Sequence, residues 1–297
     1  MLPRTLFPSS GVLQISIAST VWGGAYFLGK LILSNVSPLL LSFLAIFFAA
    51  LTLFLVFRPS VSKLVALFLD RPRAFIGLGV GNAIAQVSLL DALDHGALSS
   101  VILLERIQPI IVVFLAAFFL GEYIPRRRLP LVFVALLSSA FLTVKSPGDL
   151  SLSGISLRGV CGVIIAATGW AACTVIGRSL MIRGSVSASE VTIVRFFIAL
   201  LLQLPFIIAT NQLVLCATFG IVEWSVIFGC GCCATAGGYL LYMNGIKSVS
   251  ATVAGMLEIL MPLTALLLGV CLLGESLSVW QTGAAVVMMR SIWRLSR

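Results

Sequence analysis

Two glutamates stand where carboxylates are rare. Glu105 and Glu258 each lie inside a long apolar run, and each is followed four residues later by a proline, Pro109 and Pro262. At the same spacing beyond each comes a Leu-Gly-Glu sequence, ending in Gly121-Glu122 and in Gly274-Glu275. A charged side chain at the centre of a bilayer costs about 2.5–3.5 kcal/mol even on a lenient insertion scale, so such a residue carries a functional hypothesis by default. A proline cannot donate to the carbonyl four residues back. Each motif therefore places a carboxyl group and a freed backbone acceptor on one residue, beside an expected kink. In lipid both must be satisfied by protein or by water in a cavity. Low polarity penalises the charged form of a carboxyl group, so Glu105 and Glu258 could serve proton coupling, or could hold a substrate's ammonium group. The alternative is structural: each glutamate pairs with a neighbouring helix, through Arg106 or Arg195, and holds a bundle together.

Other residues fall on shared faces at helical spacing. Ser19, Trp22, Tyr26 and Lys30 make one such face, and Trp170, Thr174 and Arg178 make a matching one later in the chain. Asn82 and Gln86 are one turn apart, and Thr235, Tyr239 and Tyr242 occupy the corresponding region of the second half. An apolar wall bearing a few directional polar groups is what a small-molecule cavity requires. The candidate substrate-binding set is therefore Trp22, Tyr26, Asn82, Gln86, Glu105, Trp170, Thr174, Tyr239, Tyr242 and Glu258. Structural roles are expected for Pro109 and Pro262 at the kinks, and for Gly121 and Gly274 as left-handed helix stops. Glu122 and Glu275 would then complement the N-terminal dipole of the helix that follows.

Catalytic and metal chemistry find little support. His95, the single histidine, lies beside Asp91 and Asp94 in a short loop, and the cysteines of Cys230-Gly-Cys-Cys233 have no second ligand pair. Those small residues read as helix packing. No nucleophile, base or ligand set converges, so neither an enzyme, a cofactor nor a metal is expected.

The elements that must position these residues are membrane helices. The chain is 60% hydrophobic and 10% charged, with mean hydropathy +1.16. Apolar runs of about 20 residues read as spanning helices, and the short alternating segments of a β-barrel are absent. Ten runs are expected to be helical, at 12–33, 37–57, 74–92, 97–120, 129–145, 159–182, 188–210, 222–243, 250–273 and 278–294. The first lies close to the start and is expected to act as its own insertion signal. Lys and Arg bias sets orientation. With a cytoplasmic N-terminus, the inner side collects Arg4, Arg58, Lys63, Arg71, Arg73, Arg126, Arg127, Arg128, Arg178, Arg183, Lys247, Arg290, Arg294 and Arg297, while the outer side receives Lys30, Lys145 and Arg158. Both ends are thus expected in the cytoplasm. The net charge of +9 is explained by these loops rather than by a nucleic-acid groove.

The halves match beyond the opening motif: Trp22 and Gly29-Lys30 correspond to Trp170 and Gly177-Arg178, and Phe47-Phe48 to Phe196-Phe197. Five helices per copy is odd, so the second copy enters from the opposite side. The expected fold is an all-α integral membrane protein of ten transmembrane helices in two inverted five-helix repeats, at residues 1–147 and 155–297. Inverted repeats are the architecture of secondary transporters, with substrate held near the midplane at the repeat interface.

With its five-plus-five duplication, its proline in helices four and nine and its closing Leu-Gly-Glu, the chain resembles the drug/metabolite transporter superfamily, EamA branch, from about Trp22 to Gln281. The resemblance implies a central cavity walled by helices one to four and six to nine, with helices five and ten outside it. It also implies export of amino acids, metabolites or drugs. Many relatives carry an arginine in both helix two and helix seven; here Arg195 stands opposite Ile46. The expected function is a secondary transporter of small organic metabolites, an exporter of amino acids or related compounds by alternating access. Efflux of lipophilic cationic drugs is the runner-up, and a non-transporting membrane scaffold or receptor a third reading. The partners implied are a small-molecule substrate and the lipid bilayer, without nucleic acid, and a homodimer is compatible with the sequence. The expected location is a plasma membrane of the bacterial inner-membrane kind.

Overall fold

The computed structural model describes residues 10–123, 125–142, 155–183, 186–273 and 278–295. These are helical almost throughout, and among the described residues there is no strand beyond one antiparallel bridge between Gly96 and Ile155. Among the described residues eight helical stretches are long and apolar enough to cross a membrane. The chain is a multi-pass membrane protein.

Helices α1 (Ser10–Ile32) and α2 (Pro38–Phe57) are joined by a tight turn. Ser37 caps α2 by accepting from the Leu40 amide at 3.2 Å, and Pro38 occupies the first turn, where its missing N–H is no loss. The ten-residue helix α3 (Val61–Asp70) follows; the apolar-run reading had no helix there. Its apolar run, 64–69, is only six residues long, far too short to span; Leu64 is buried, while Val61, Val65 and Leu69 are exposed. Lys63 ties it to Glu190, much further along the chain, at 2.5 Å. Helix α4 (Pro72–Asp94) is a full span.

The fourth expected helix is broken at its motif into α5 (Leu98–Glu105) and α6 (Gln108–Leu120). Gly121 stops α6 with φ 66°, a left-handed conformation that glycine adopts without a side-chain clash. The shorter α7 (Leu129–Leu142) comes next, then the long α8 (Leu157–Arg183). Helix α9 (Ala188–Ala209) opens with a capping box in which Ser187 and Glu190 satisfy each other's backbone amides. The eighth expected helix comprises α10 (Ile221–Gly229), a wider π-helical stretch at Cys230–Gly238, and α11 (Tyr239–Gly245). In the ninth, α12 (Ala251–Leu257) passes through a 3₁₀ turn at Glu258–Leu260 into α13 (Met261–Leu273). Helix α14 (Val279–Leu295) packs along α7. The candidate residues Gly274 and Glu275 lie outside the described residues, as do Lys145 and the chain ends used in the charge count.

Small residues let the central helices approach. Along the contact of α4 with α8, a Cβ added to Gly81 would come within 2.7 Å of Cys173 Sγ, and one on Gly169 within 2.9 Å of Ala85. Close backbone approach of this kind is a principal means of packing helices in lipid, where apolar burial gives no drive.

Candidate functional site

A cavity of about 900 Å³, its mouth included, lies among α1, α2, α4, α8, α9, the π-helical stretch, α11 and the two glutamate-proline breaks. Among the described residues, none of α7 or α14 lines it. Of the sequence candidates, Trp22, Tyr26, Gln86, Trp170, Thr174, Tyr239, Tyr242 and Glu258 line it. Glu105 stands just behind Tyr26, and Asn82 is fully buried on α4 away from the lining, with neither amide atom partnered.

Its walls are aromatic on both sides of the bundle. Trp22 from α1 approaches Tyr239 at 5.0 Å and Tyr242 at 5.2 Å between ring centroids, and Trp170 from α8 approaches Tyr239 at 5.8 Å. The Trp22 indole donates to the Ala234 carbonyl at 2.9 Å, so the π-helical stretch anchors one of these rings. Gly238 makes room for it: a Cβ there would press against the indole. π-Helical turns recur at functional sites because they re-aim groups that a regular helix would keep in register.

The two carboxyl groups are both occupied. Tyr26 Oη donates to Glu105 Oε1 at 2.8 Å, and Arg106 Nη2 reaches Glu105 Oε2 at 3.3 Å. Tyr242 Oη donates to Glu258 Oε1 at 2.5 Å and shares a 3.0 Å bond with Thr174, while Gln108 donates to Glu258 Oε2. The motifs also grip each other. Arg106 Nη1 donates to the Glu258 carbonyl at 3.4 Å, the acceptor that Pro262 releases from the helix ladder. Of the two arginines offered by the sequence as partners, Arg106 pairs with Glu105; Arg195 lies within ion-pair distance of no carboxylate among the described residues.

Glu122 departs from its expected place at the helix that follows. It accepts from the Ala251 amide at 2.7 Å, capping α12 from the other half, and holds Arg178 at 3.1 Å. A left-handed stop at Gly121 turns the chain out of line with its own helix, which brings the carboxylate to a neighbour's N-terminus. Arg178 also donates to the carbonyls of Ile246 and Lys247, at 2.5 and 2.8 Å. Near the end of α1, Lys30 does the same to Leu93 and Gly96.

Gln108 and Arg195 line the cavity but were not in the candidate set. Gln108 is a polar residue one turn from Glu105 whose second-half counterpart is Met261, an asymmetry readable in the repeat. Arg195 is an intramembrane arginine whose first-half counterpart is Ile46, also readable, but it reads as an ion-pair partner until the pairing is known. Its guanidinium carbon sits 4.2 Å from the Tyr239 centroid and 5.5 Å from that of Trp170.

The EamA-like transporter family model matches residues 9–144 and again 157–297. The chain belongs to the EamA-like transporter family. It is similar to the riboflavin transporter ImpX of Fusobacterium nucleatum subsp. nucleatum, 27% identical over 215 residues that span 71% of this chain and 70% of that protein. One crystal structure of a protein shares the fold, with TM-score 0.71 over 96% of this chain and 97% of its own, at 18% identity. As an EamA-like protein the chain is a membrane transporter of small molecules and not an enzyme. Among the described residues no group of histidine, cysteine, aspartate or glutamate could hold a metal ion.

Proposed function

We propose that this EamA-like protein is a secondary transporter that carries a flat, partly aromatic organic metabolite through the central cavity by alternating access. The observation that carries the reading is the cavity itself, with Trp22, Trp170, Tyr239 and Tyr242 contributed from both halves of the chain. Flat rings stack well in such a site, and directional polar groups fix their edges. A flavin is the first substrate to test, because the similar Fusobacterium protein is a riboflavin transporter.

The proposed architecture is ten spans in two inverted repeats, residues 1–147 and 155–297, with α7 and α14 as the fifth and tenth spans and both termini cytoplasmic in a plasma membrane. The latches support it. Lys30 on α1 binds carbonyls at the end of α4, and Arg178 on α8 binds those after α11, which are corresponding helices of the two repeats. Inversion would set these latches on opposite faces, where each could hold one gate. Substrate contacts are assigned to Trp22, Tyr26, Gln86, Trp170, Thr174, Tyr239 and Tyr242, with Glu258 on the lining and Glu105 behind Tyr26 as the proton-coupling candidates.

Export of amino acids or related compounds stands second. An amino acid needs an acceptor for its ammonium group, and a lipophilic cation needs a free carboxylate; both glutamates are already bonded within the protein. Purified protein in liposomes decides between them. Riboflavin is expected to cross down its gradient faster than in protein-free liposomes, and faster than tryptophan. If neither solute moves under a solute or pH gradient, the transport reading of this cavity fails.

A further inference from the structure

Arg195 is 1% exposed, lines the cavity, and has no counter-charge among the described residues. Its Nε and Nη2 have no hydrogen-bond partner. Two more groups on the same lining are buried and unspent: the donor Trp170 Nε1 and the acceptor Gln86 Oε1. Buried polar groups are nearly always bonded, so a cluster of exceptions asks for an explanation. Stacking on Tyr239 and Trp170 offsets only part of the cost of holding a guanidinium away from water. The glutamates cannot supply the remainder, because Tyr26, Arg106, Tyr242 and Gln108 already engage them. What is missing is a set of acceptor oxygens beside a donor, placed at the edge of a ring that the aromatic walls can hold.

We propose that Arg195, Trp170 Nε1 and Gln86 Oε1 form the polar end of the cavity, and that they select substrates whose flat aromatic ring system carries acceptor oxygens on one edge, as an imide or a carboxylate. Oxygens would take the guanidinium and indole donors, and an imide N–H would donate to Gln86. Arg195 is suited to this because its rigid planar fork addresses two oxygens at once, which a lysine's point charge does not. A cation on the same ring is rejected by repulsion from the unpaired guanidinium. This selectivity deepens the transport reading above and rests on it.

The test is equilibrium dialysis of purified protein against three probes: riboflavin with its imide edge, and the indole pair indole-3-acetate and tryptamine, anionic and cationic on the same ring. At least one acceptor-bearing probe is expected to bind about tenfold more tightly than tryptamine, and which one does so separates an imide site from a carboxylate site. Arg195→Gln should bring the probes to within about twofold of each other. Arg195→Lys should keep a preference for the carboxylate and lose one for the imide. Tryptamine binding as well as the others, or none of the three binding, overturns the proposal on the native protein alone, whether or not a variant folds. An unchanged ratio in Arg195→Gln also overturns it. Liposome flux separates the two levels: flux that persists while the ratio ignores Arg195 leaves transport standing without this selectivity, whereas the expected ratios without flux sink transport and keep the site.

Discussion

Two buried arginines share one membrane interior and have opposite surroundings. Arg106 spends its side chain on protein: Nε on the Ile102 carbonyl at 3.0 Å, Nη1 on the Glu258 carbonyl and Nη2 on the Glu105 carboxylate. Arg195 leaves Nε and Nη2 unspent and rests against two rings of the cavity wall. The first closes a junction where two helix breaks meet. The second is an uncompensated charge at the edge of a cavity. A bilayer tolerates an arginine in either setting, so residue type and depth do not separate brace from binding group. Hydrogen-bond satisfaction does.

That contrast is broken most forcefully at the brace. Arg106→Leu takes the counter-charge from the buried Glu105 carboxylate and one donor from the Glu258 carbonyl, which keeps the Met261 amide, and breaking a buried pair on one side costs about 3–5 kcal/mol. The variant is expected to lose most of its monodisperse yield in detergent, and Glu105→Gln added to it should recover part. A normal melting temperature for Arg106→Leu would remove the brace from the account. The two motif copies should differ as well. Glu105→Gln takes the counter-charge from a buried guanidinium, about 1.5–3 kcal/mol, whereas Glu258 is held by neutral Tyr242 and Gln108, where one bond contributes about 1 kcal/mol. Melting curves of the two single variants compare them directly; equal losses would show that the motifs are used alike.

The order of helices was legible because lipid demands long apolar runs, and the glutamate-proline pairs marked where two of those runs break. Helix α3 escaped that reading because its apolar run, 64–69, is far shorter than the about 20 residues a span needs. The π-helical stretch was visible only as small residues, since glycine and cysteine permit close packing without dictating a wider turn. Pairing was the least legible feature. Arg106 and Arg195 were equal candidates for the glutamates, and only the registry between helices decides which guanidinium reaches a carboxylate. Glu122 shows the same limit: a local rule assigns it to the helix that follows, while its partner is the Ala251 amide in the other half.

Smaller effects sharpen the comparison further. Arg178 is a third arginine with intermediate surroundings, bonded to two carbonyls and to Glu122. Glu122→Gln keeps an acceptor for the Ala251 amide and removes one partly buried ion pair, so its cost should stay near about 1 kcal/mol. A loss as large as that of Arg106→Leu would make the latch a second brace. The smallest stability effect is expected at Arg195. Replacing an unpaired buried charge by an apolar group of similar bulk is often neutral or stabilising, and against that stands a cation–π contribution of about 2 kcal/mol. Arg195→Leu should therefore melt within a few degrees of the native protein while riboflavin flux in liposomes falls to the protein-free level. Collapse of the fold would mean that the two rings, not a substrate, are the partners for which Arg195 is retained. A stable protein that no longer transports would leave its unspent donors with one remaining use.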